Sequence, residues 1–210
     1  NSQPKNLRMP YTKELWVNGR KLAPIYKLVD PFEKNFSLWV ENAVKSTGEM
    51  IDDPYCIGYF CNNEIHWGKN PVAVVRDIYN CDISVASKKE LDDFLAAKNI
   101  DIKDATNEQL LSFYSYLLET YYKKCRDAIK KIAPNKLYLG SRLHDGALRK
   151  EAFSAAAKYC DVVSVNVYEK DVKEFNVRDN RDKPFFTDDV PFLVGEFDFG
   201  ALDRGKFFTG

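Results

Sequence analysis

Two glutamates stand where an α/β protein would place its chemistry. The apolar run Tyr55-Cys-Ile-Gly-Tyr-Phe-Cys61 leads into Asn62-Asn63-Glu64-Ile65-His66-Trp67-Gly68, and Pro191-Phe-Leu-Val-Gly-Glu-Phe197 carries Glu196 near its close. Paired carboxylates in unlike surroundings can divide the cleavage of a glycosidic bond. One, kept protonated, donates to the leaving oxygen, and the other, ionised, attacks the anomeric carbon. Two further runs end in polar groups beside aromatics: Lys136–Ser141 is followed by Arg142-Leu-His144-Asp145-Gly146, and Asp161–Tyr168 ends in Asn166-Val-Tyr168. Trp67, Tyr168, Phe197 and Phe199 suit stacking on sugar rings, while Asn63, Arg142 and His144 suit gripping hydroxyls.

Taken singly, each residue has a plainer explanation. A glutamate after a strand is ordinarily a solvated loop residue, and Tyr168 ordinarily a strand-end aromatic. Four strand ends of one character outweigh any one of them. His66 and His144 are the only two histidines, so a metal would need several carboxylates besides; no metal and no cofactor are expected. The series Gly195, Gly200, Gly205 lacks the G-x-G-x-x-G spacing and the following helix of a nucleotide loop. The five cysteines are odd in number and contain no C-x-x-C, which argues against zinc-ribbon and redox sites. Cys56 and Cys61 read as buried free thiols, with a disulfide between some pair left open. Cys61 lies close to Glu64, but no Cys-His arrangement is suggested, so it reads as packing.

These strand ends must be held by their neighbours. Apolar residues Phe36, Trp39, Val40, Ala43 and Val44 recur at helical spacing and predict a helix over 35–47. Helices are also expected over 88–98, 107–132 and 147–159, the second stopped by Pro134. Strands are expected over 55–61, 136–141, 161–168 and 191–197, the first buried on both faces. Residues 62–87 read as polar loop at first, 169–190 as a polar connection with a short helix, and the stretch to about Asn35 as surface loop. The order β-α-β-α-β-(short α)-β, with apolar strands, predicts a parallel sheet covered by helices, in which function gathers at the carboxyl ends of the strands.

Composition limits the partners. With 210 residues, 45% hydrophobic, 30% charged and 31 basic against 31 acidic side chains, the chain has a globular profile and no field to draw it to nucleic acid or an anionic membrane. No run suggests a membrane span, and the opening residues lack the apolar stretch of a signal peptide. Beginning at Asn1 rather than Met, the chain reads as an excerpt of a longer protein. No internal repeat or second domain is visible.

The Asn63-Glu64 pair after one strand, Tyr168 ending another and Glu196 ending the next resemble clan A glycoside hydrolases. More specifically, Asp53–Gly68, Tyr138–Arg142, Tyr159–Ser164 and Val194–Gly205 are similar to the β-agarases of glycoside hydrolase family 50. The resemblance implies an α/β fold of the (β/α)8 TIM-barrel type. Residues 1–210 would supply about strands four to seven as a partial barrel, with 1–34 a loop-rich lead-in and the rest of the barrel outside the segment. It implies a retaining enzyme cleaving β-1,4 galactosidic linkages of agarose or neoagaro-oligosaccharides, secreted or periplasmic, with a galactan as partner.

Carried over to this sequence, the resemblance makes Glu64 the general acid/base and Glu196 the nucleophile, oriented by Tyr168. Asn63 would contact the sugar 2-hydroxyl, and His66, Trp67, Arg142 and His144 would line subsites. One departure is visible: Asp198 stands between Phe197 and Phe199 where the family pattern leads one to expect His. The alternatives are a related clan A β-galactosidase or carrageenan or porphyran hydrolase, and a non-catalytic carbohydrate-binding barrel.

Overall fold

The computed structural model describes residues 30–65, 67–68, 70–144, 148–168 and 189–197 in full, and the backbone of four short strand segments at 16–17, 20–21, 178–179 and 183–184. Among the described residues eight strands occur in chain order: β1 (Trp16–Val17), β2 (Arg20–Lys21), β3 (Gly58–Tyr59), β4 (Leu137–Tyr138), β5 (Val163–Val167), β6 (Arg178–Asp179), β7 (Lys183–Pro184) and β8 (Phe192–Phe197). The described residues also form five α-helices: α1 (Phe36–Lys45), α2 (Pro71–Tyr79), α3 (Ala86–Ala97), α4 (Asn107–Ile132) and α5 (Lys150–Tyr159).

The strands β3, β4, β5 and β8 run parallel and lie side by side in sequence order. β3 pairs with β4 and β5 with β8. The two pairs are joined through Leu143, which bridges Val165 in parallel, donates its N–H to Ser164 O and accepts from Asn166 N–H. Each of these four strands beside the next, with helices between β3 and β4 and between β4 and β5, is the winding of a βα series rather than of a sheet whose order reverses. β3 and β4 approach so closely that a Cβ on Gly58 would lie 2.3 Å from Leu137 O, which excludes any side chain there.

The helices and the helix-facing side chains of the strands share one core. Phe36, Val40 and Val44 of α1, Val74, Val75 and Ile78 of α2, Leu91 and Leu95 of α3, one face of α4, and Ala152, Phe153, Ala155 and Ala156 of α5 pack with Tyr138, Val163, Val165 and Val167. The 26-residue α4 is its centre. It starts from a reciprocal cap, in which Thr106 Oγ1 accepts from Gln109 N–H and the Gln109 side chain accepts from Thr106 N–H, and it ends before Pro134. Lys131 ties it to Glu41 of α1 at 2.9 Å. Asp30 supplies the cap that α3 lacks locally, its Oδ2 accepting from Ser87 N–H at 2.7 Å.

The α/β reading of the sequence holds, and the helix expected over 107–132 has those bounds. Three expectations need correction. Pro71–Tyr79, read as loop, is a helix with Asn70 as its cap and Pro71 at its first turn, a start signal that the dense valines obscured. Trp16–Val17 and Arg20–Lys21 pair antiparallel within the stretch read as loop. The run 55–61 is not buried on both faces: Tyr55 is 93% and Ile57 66% exposed. β3 and β8 have one described strand neighbour each, whereas β5, flanked on both sides, is buried throughout. Arg178-Asp179 and Lys183-Pro184 pair antiparallel within the segment expected to hold a short helix; the rest of that segment lies largely outside the described residues.

All five cysteines are free. Cys56 is half-buried, and Cys61, Cys81, Cys125 and Cys160 are buried. Burial pushes the Cys81 thiol up to about 11, with Asp77 and Asp30 adding to the rise.

Candidate functional site

The loop that bears Glu64 is held from beneath by tyrosines of α4. Tyr121 donates to Cys61 O at 3.3 Å and Tyr114 to Trp67 O at 2.9 Å, while Tyr122 and Ser141 share a hydrogen bond of 2.7 Å. These hydroxyls are buried, and desolvation raises all three pKa values, so they stay protonated. From the sheet side, Glu64 N–H donates to Ser141 O at 2.9 Å. The loop is thus pinned at both ends and at Glu64. Within it Asn62 (φ 70°) and Glu64 (φ 49°) take left-handed backbone, as does Arg142 (φ 49°) at the end of the next strand. Such strain persists where the surroundings fix the chain, and it concentrates at functional sites.

Around Glu64 the partners come from two neighbouring strand ends. Asn166 Nδ2 donates to Glu64 Oε1 at 2.6 Å, and His144 Nδ1 lies 3.5 Å from the same oxygen. Glu196 is held differently. Arg142 Nη1 reaches its Oε1 at 2.9 Å, and the Tyr168 hydroxyl donates to its Oε2. The His144 and Tyr168 rings meet edge to face at 5.1 Å, so the two carboxyl surroundings join into one cluster. The hydrogen bond to Glu196, with smaller contributions from desolvation and the charges of Glu196 and Glu64, pushes the Tyr168 phenol up to about 12. It is therefore a donor across the working range of pH. The Arg142 guanidinium also lies over the Phe60 ring at 5.1 Å. The four side chains Glu64, His144, Arg142 and Glu196 are 33%, 35%, 23% and 36% exposed, so each remains partly open.

The register of β5 and β8 explains how Glu196 comes to face this cluster. Val165 pairs with Val194 and Asn166 with Glu196, leaving Gly195 as a bulge. Without that extra residue Glu196 would sit opposite Val167 and point toward the helices, because side chains alternate along a strand. The bulge turns it onto the face of Asn166. A Cβ on Gly195 would lie 2.8 Å from Arg142 Cδ and 3.2 Å from Asn166 Oδ1, so the bare glycine leaves the space in which both side chains cross.

The structure therefore brings together Glu64, Arg142, His144, Tyr168 and Glu196 of the residues singled out in the sequence. Asn63 lies beside them, exposed, its N–H donating to Asn62 Oδ1. Trp67 is corrected: it is 2% exposed, with its ring packed on Tyr121 and Tyr122, and it fills the core beneath the loop rather than offering a face to a sugar. His66, Asp198 and Phe199 lie outside the described residues. Asn166 and Gly195 were missed. The signal for Asn166 was a polar residue, with Ser164, alternating with the valines of its strand, whereas the bulge at Gly195 leaves no mark in the sequence. Among the described residues, no group of three His, Cys, Asp or Glu side chains is placed to hold a metal ion.

No family model matches the chain. Individual proteins do. The chain is 28% identical to Beta-agarase B of Vibrio sp. (strain JT0107) over 249 residues, covering 98% of this chain and 25% of that protein. The crystal structure of an agarase, AgWH50C, superposes with a TM-score of 0.70 at 29% identity, over 87% of this chain and 28% of that one. The chain is a relative of the family 50 β-agarases. A further structure, of an exo-β-agarase, matches with a TM-score of 0.66 at 26% identity over 86% of this chain and 28% of that one. The chain thus spans about a quarter of the length of the curated family 50 relative it matches.

Proposed function

We propose that this chain carries the catalytic carboxylates of a retaining glycoside hydrolase that cleaves β-1,4 galactosidic linkages in agarose or neoagaro-oligosaccharides. Its described parallel strands are strands four to seven of a (β/α)8 barrel, residues 1–34 lead into it, and the protein acts outside the cytoplasm, where a polymeric galactan is met. One observation carries the reading. Glu64 and Glu196, far apart in sequence, converge on one open cluster in different surroundings, an amide donor with an imidazole nearby for Glu64 and a guanidinium and a phenol for Glu196. Among the described residues no helix is long and apolar enough to cross a membrane.

In the first step Glu64 gives its proton to the glycosidic oxygen as a Glu196 oxygen attacks the anomeric carbon. The bond to the leaving oxygen breaks, its electron pair stays with that oxygen, and a glycosyl ester forms on Glu196. Arg142 and Tyr168 hold Glu196 in line before attack. In the second step Glu64, now a carboxylate, takes a proton from water as the water oxygen displaces Glu196, and configuration is retained. His144, near Glu64, and Tyr168, on Glu196, meet edge to face and join the two halves of the site, beside which Asn63 reaches for a sugar hydroxyl.

Product analysis tests this reading. The protein bearing this chain, incubated with agarose, carrageenan, porphyran and a simple β-galactoside, is expected to release neoagaro-oligosaccharides from agarose. Intact agarose with one of the others cleaved would move the assignment to a related galactan hydrolase. Binding without cleavage of any would leave a carbohydrate-binding barrel.

A further inference from the structure

We infer that Asn166 is a positioning residue for the acid/base Glu64, acting through its amide to set the orientation of that carboxyl and the pH range over which it keeps its proton; this rests on the glycosidase reading above. Asn166 is 3% exposed on a strand whose other buried residues are three valines and Ser164. A buried amide in such a strand is costly unless its polar atoms are used. Nδ2 is used, at 2.6 Å from Glu64 Oε1. Oδ1 is buried without a hydrogen-bond partner and borders the space left by Gly195. The amide thus presents a donor to Glu64 and an unsatisfied acceptor on the same side chain, both inside the catalytic cluster.

The pairing of Asn166 with Glu196 across the β5–β8 ladder makes it the link between the two carboxylates: its backbone is in register with one and its side chain holds the other. Ser164, two residues earlier, does comparable work on the same strand. Its Oγ accepts from Arg142 N–H at 3.0 Å and donates to Leu139 O at 2.6 Å, fixing the turn that sends Arg142 toward Glu196. β5 therefore positions both halves of the site from its polar residues.

A donor on a carboxyl oxygen favours the ionised form. Removing it lets the general acid hold its proton to higher pH, so the alkaline limb of kcat/KM moves upward. The other groups facing Glu64 are His144 from the β4 end and, across the cluster, Tyr168 from β5, with Arg142 and Glu196 beyond them. All are retained in the variants, so a moved limb reports the amide.

The test uses the protein bearing this chain, with agarose-derived oligosaccharide as substrate, and the variants Asn166→Ala and Asn166→Asp, each with a melting curve. Asn166→Ala is expected to lower kcat by on the order of 100-fold with little change in KM and to raise the alkaline limb by about one pH unit. Asn166→Asp preserves shape and volume and remains decisive if the alanine variant does not fold. It places a second carboxyl against Glu64 and should raise the limb further. Profiles that keep the wild-type limbs in a folded variant would overturn the inference while leaving the glycosidase reading intact. A wild-type protein that cleaves no galactan would overturn the glycosidase reading, and with it the role given to Asn166.

Discussion

Glu196→Gln removes turnover, lowering kcat by on the order of 10⁴-fold or more, and no added anion restores it. The amide is nearly isosteric, but its single carbonyl oxygen can keep only one of the two contacts that Arg142 and Tyr168 make to separate carboxyl oxygens, and it is too weak a nucleophile to form the glycosyl ester. Glu64→Ala behaves differently. It costs roughly 10²- to 10⁴-fold through loss of acid/base assistance, most of it on poor leaving groups. With an activated aryl glycoside the first step no longer needs the acid, and azide entering the space vacated by the carboxylate attacks the glycosyl-enzyme to give a glycosyl azide of retained configuration. The two glutamates are thus separated by one experiment: rescue for Glu64→Ala and none for Glu196→Gln. Residual wild-type activity in Glu196→Gln would remove it as the nucleophile, and failure of rescue in a folded Glu64→Ala would remove Glu64 as the acid/base.

Gly195→Ala is expected to lower kcat by on the order of 100-fold with a loss of folding stability of only about 1–3 kcal/mol. The added methyl would lie 2.8 Å from Arg142 Cδ, 3.1 Å from Arg142 Cγ and 3.2 Å from Asn166 Oδ1. Arg142 cannot yield without moving its guanidinium, because the far end of the chain is held on Glu196 and over Phe60. One methyl group therefore loosens both carboxylates while leaving their chemistry in place. A double-mutant cycle locates the effect. If the clash acts mainly through Arg142, adding Gly195→Ala to Arg142→Ala costs little beyond Arg142→Ala alone, since the colliding atoms are already gone. Full activity in Gly195→Ala would mean that the crossing of Arg142 over Gly195 does not matter to the reaction.

The sequence made the helices legible where the pattern was long. Over Asn107–Ile132 the apolar stripe repeats for seven turns between a capping Thr and a stopping Pro, and no shorter reading competes with it. Pro71–Tyr79 is nine residues with three valines, whose β-branching reads as non-helical until the Asn70-Pro71 start is weighed. Site residues were legible for a topological reason: in a parallel α/β order the ends of the strands must gather on one side, so Glu64, Arg142, His144, Tyr168 and Glu196 could be named together from the strand order. Trp67 misled because an aromatic within a polar loop reads as exposed. It is buried because the tyrosines of α4 that hold the loop also enclose its ring. Gly195 was not legible as a bulge, since a bulge is a property of two strands in register and appears in neither alone.

Retention of configuration is the most direct consequence of two carboxylates acting in turn on one anomeric carbon. Following the cleavage of an agarose oligosaccharide by the protein bearing this chain with proton NMR, before mutarotation scrambles the products, reads it directly. The account predicts that the β-anomer of the new reducing end forms first and relaxes to the equilibrium mixture. First appearance of the α-anomer would contradict it, because water would then have attacked the sugar without an ester to Glu196.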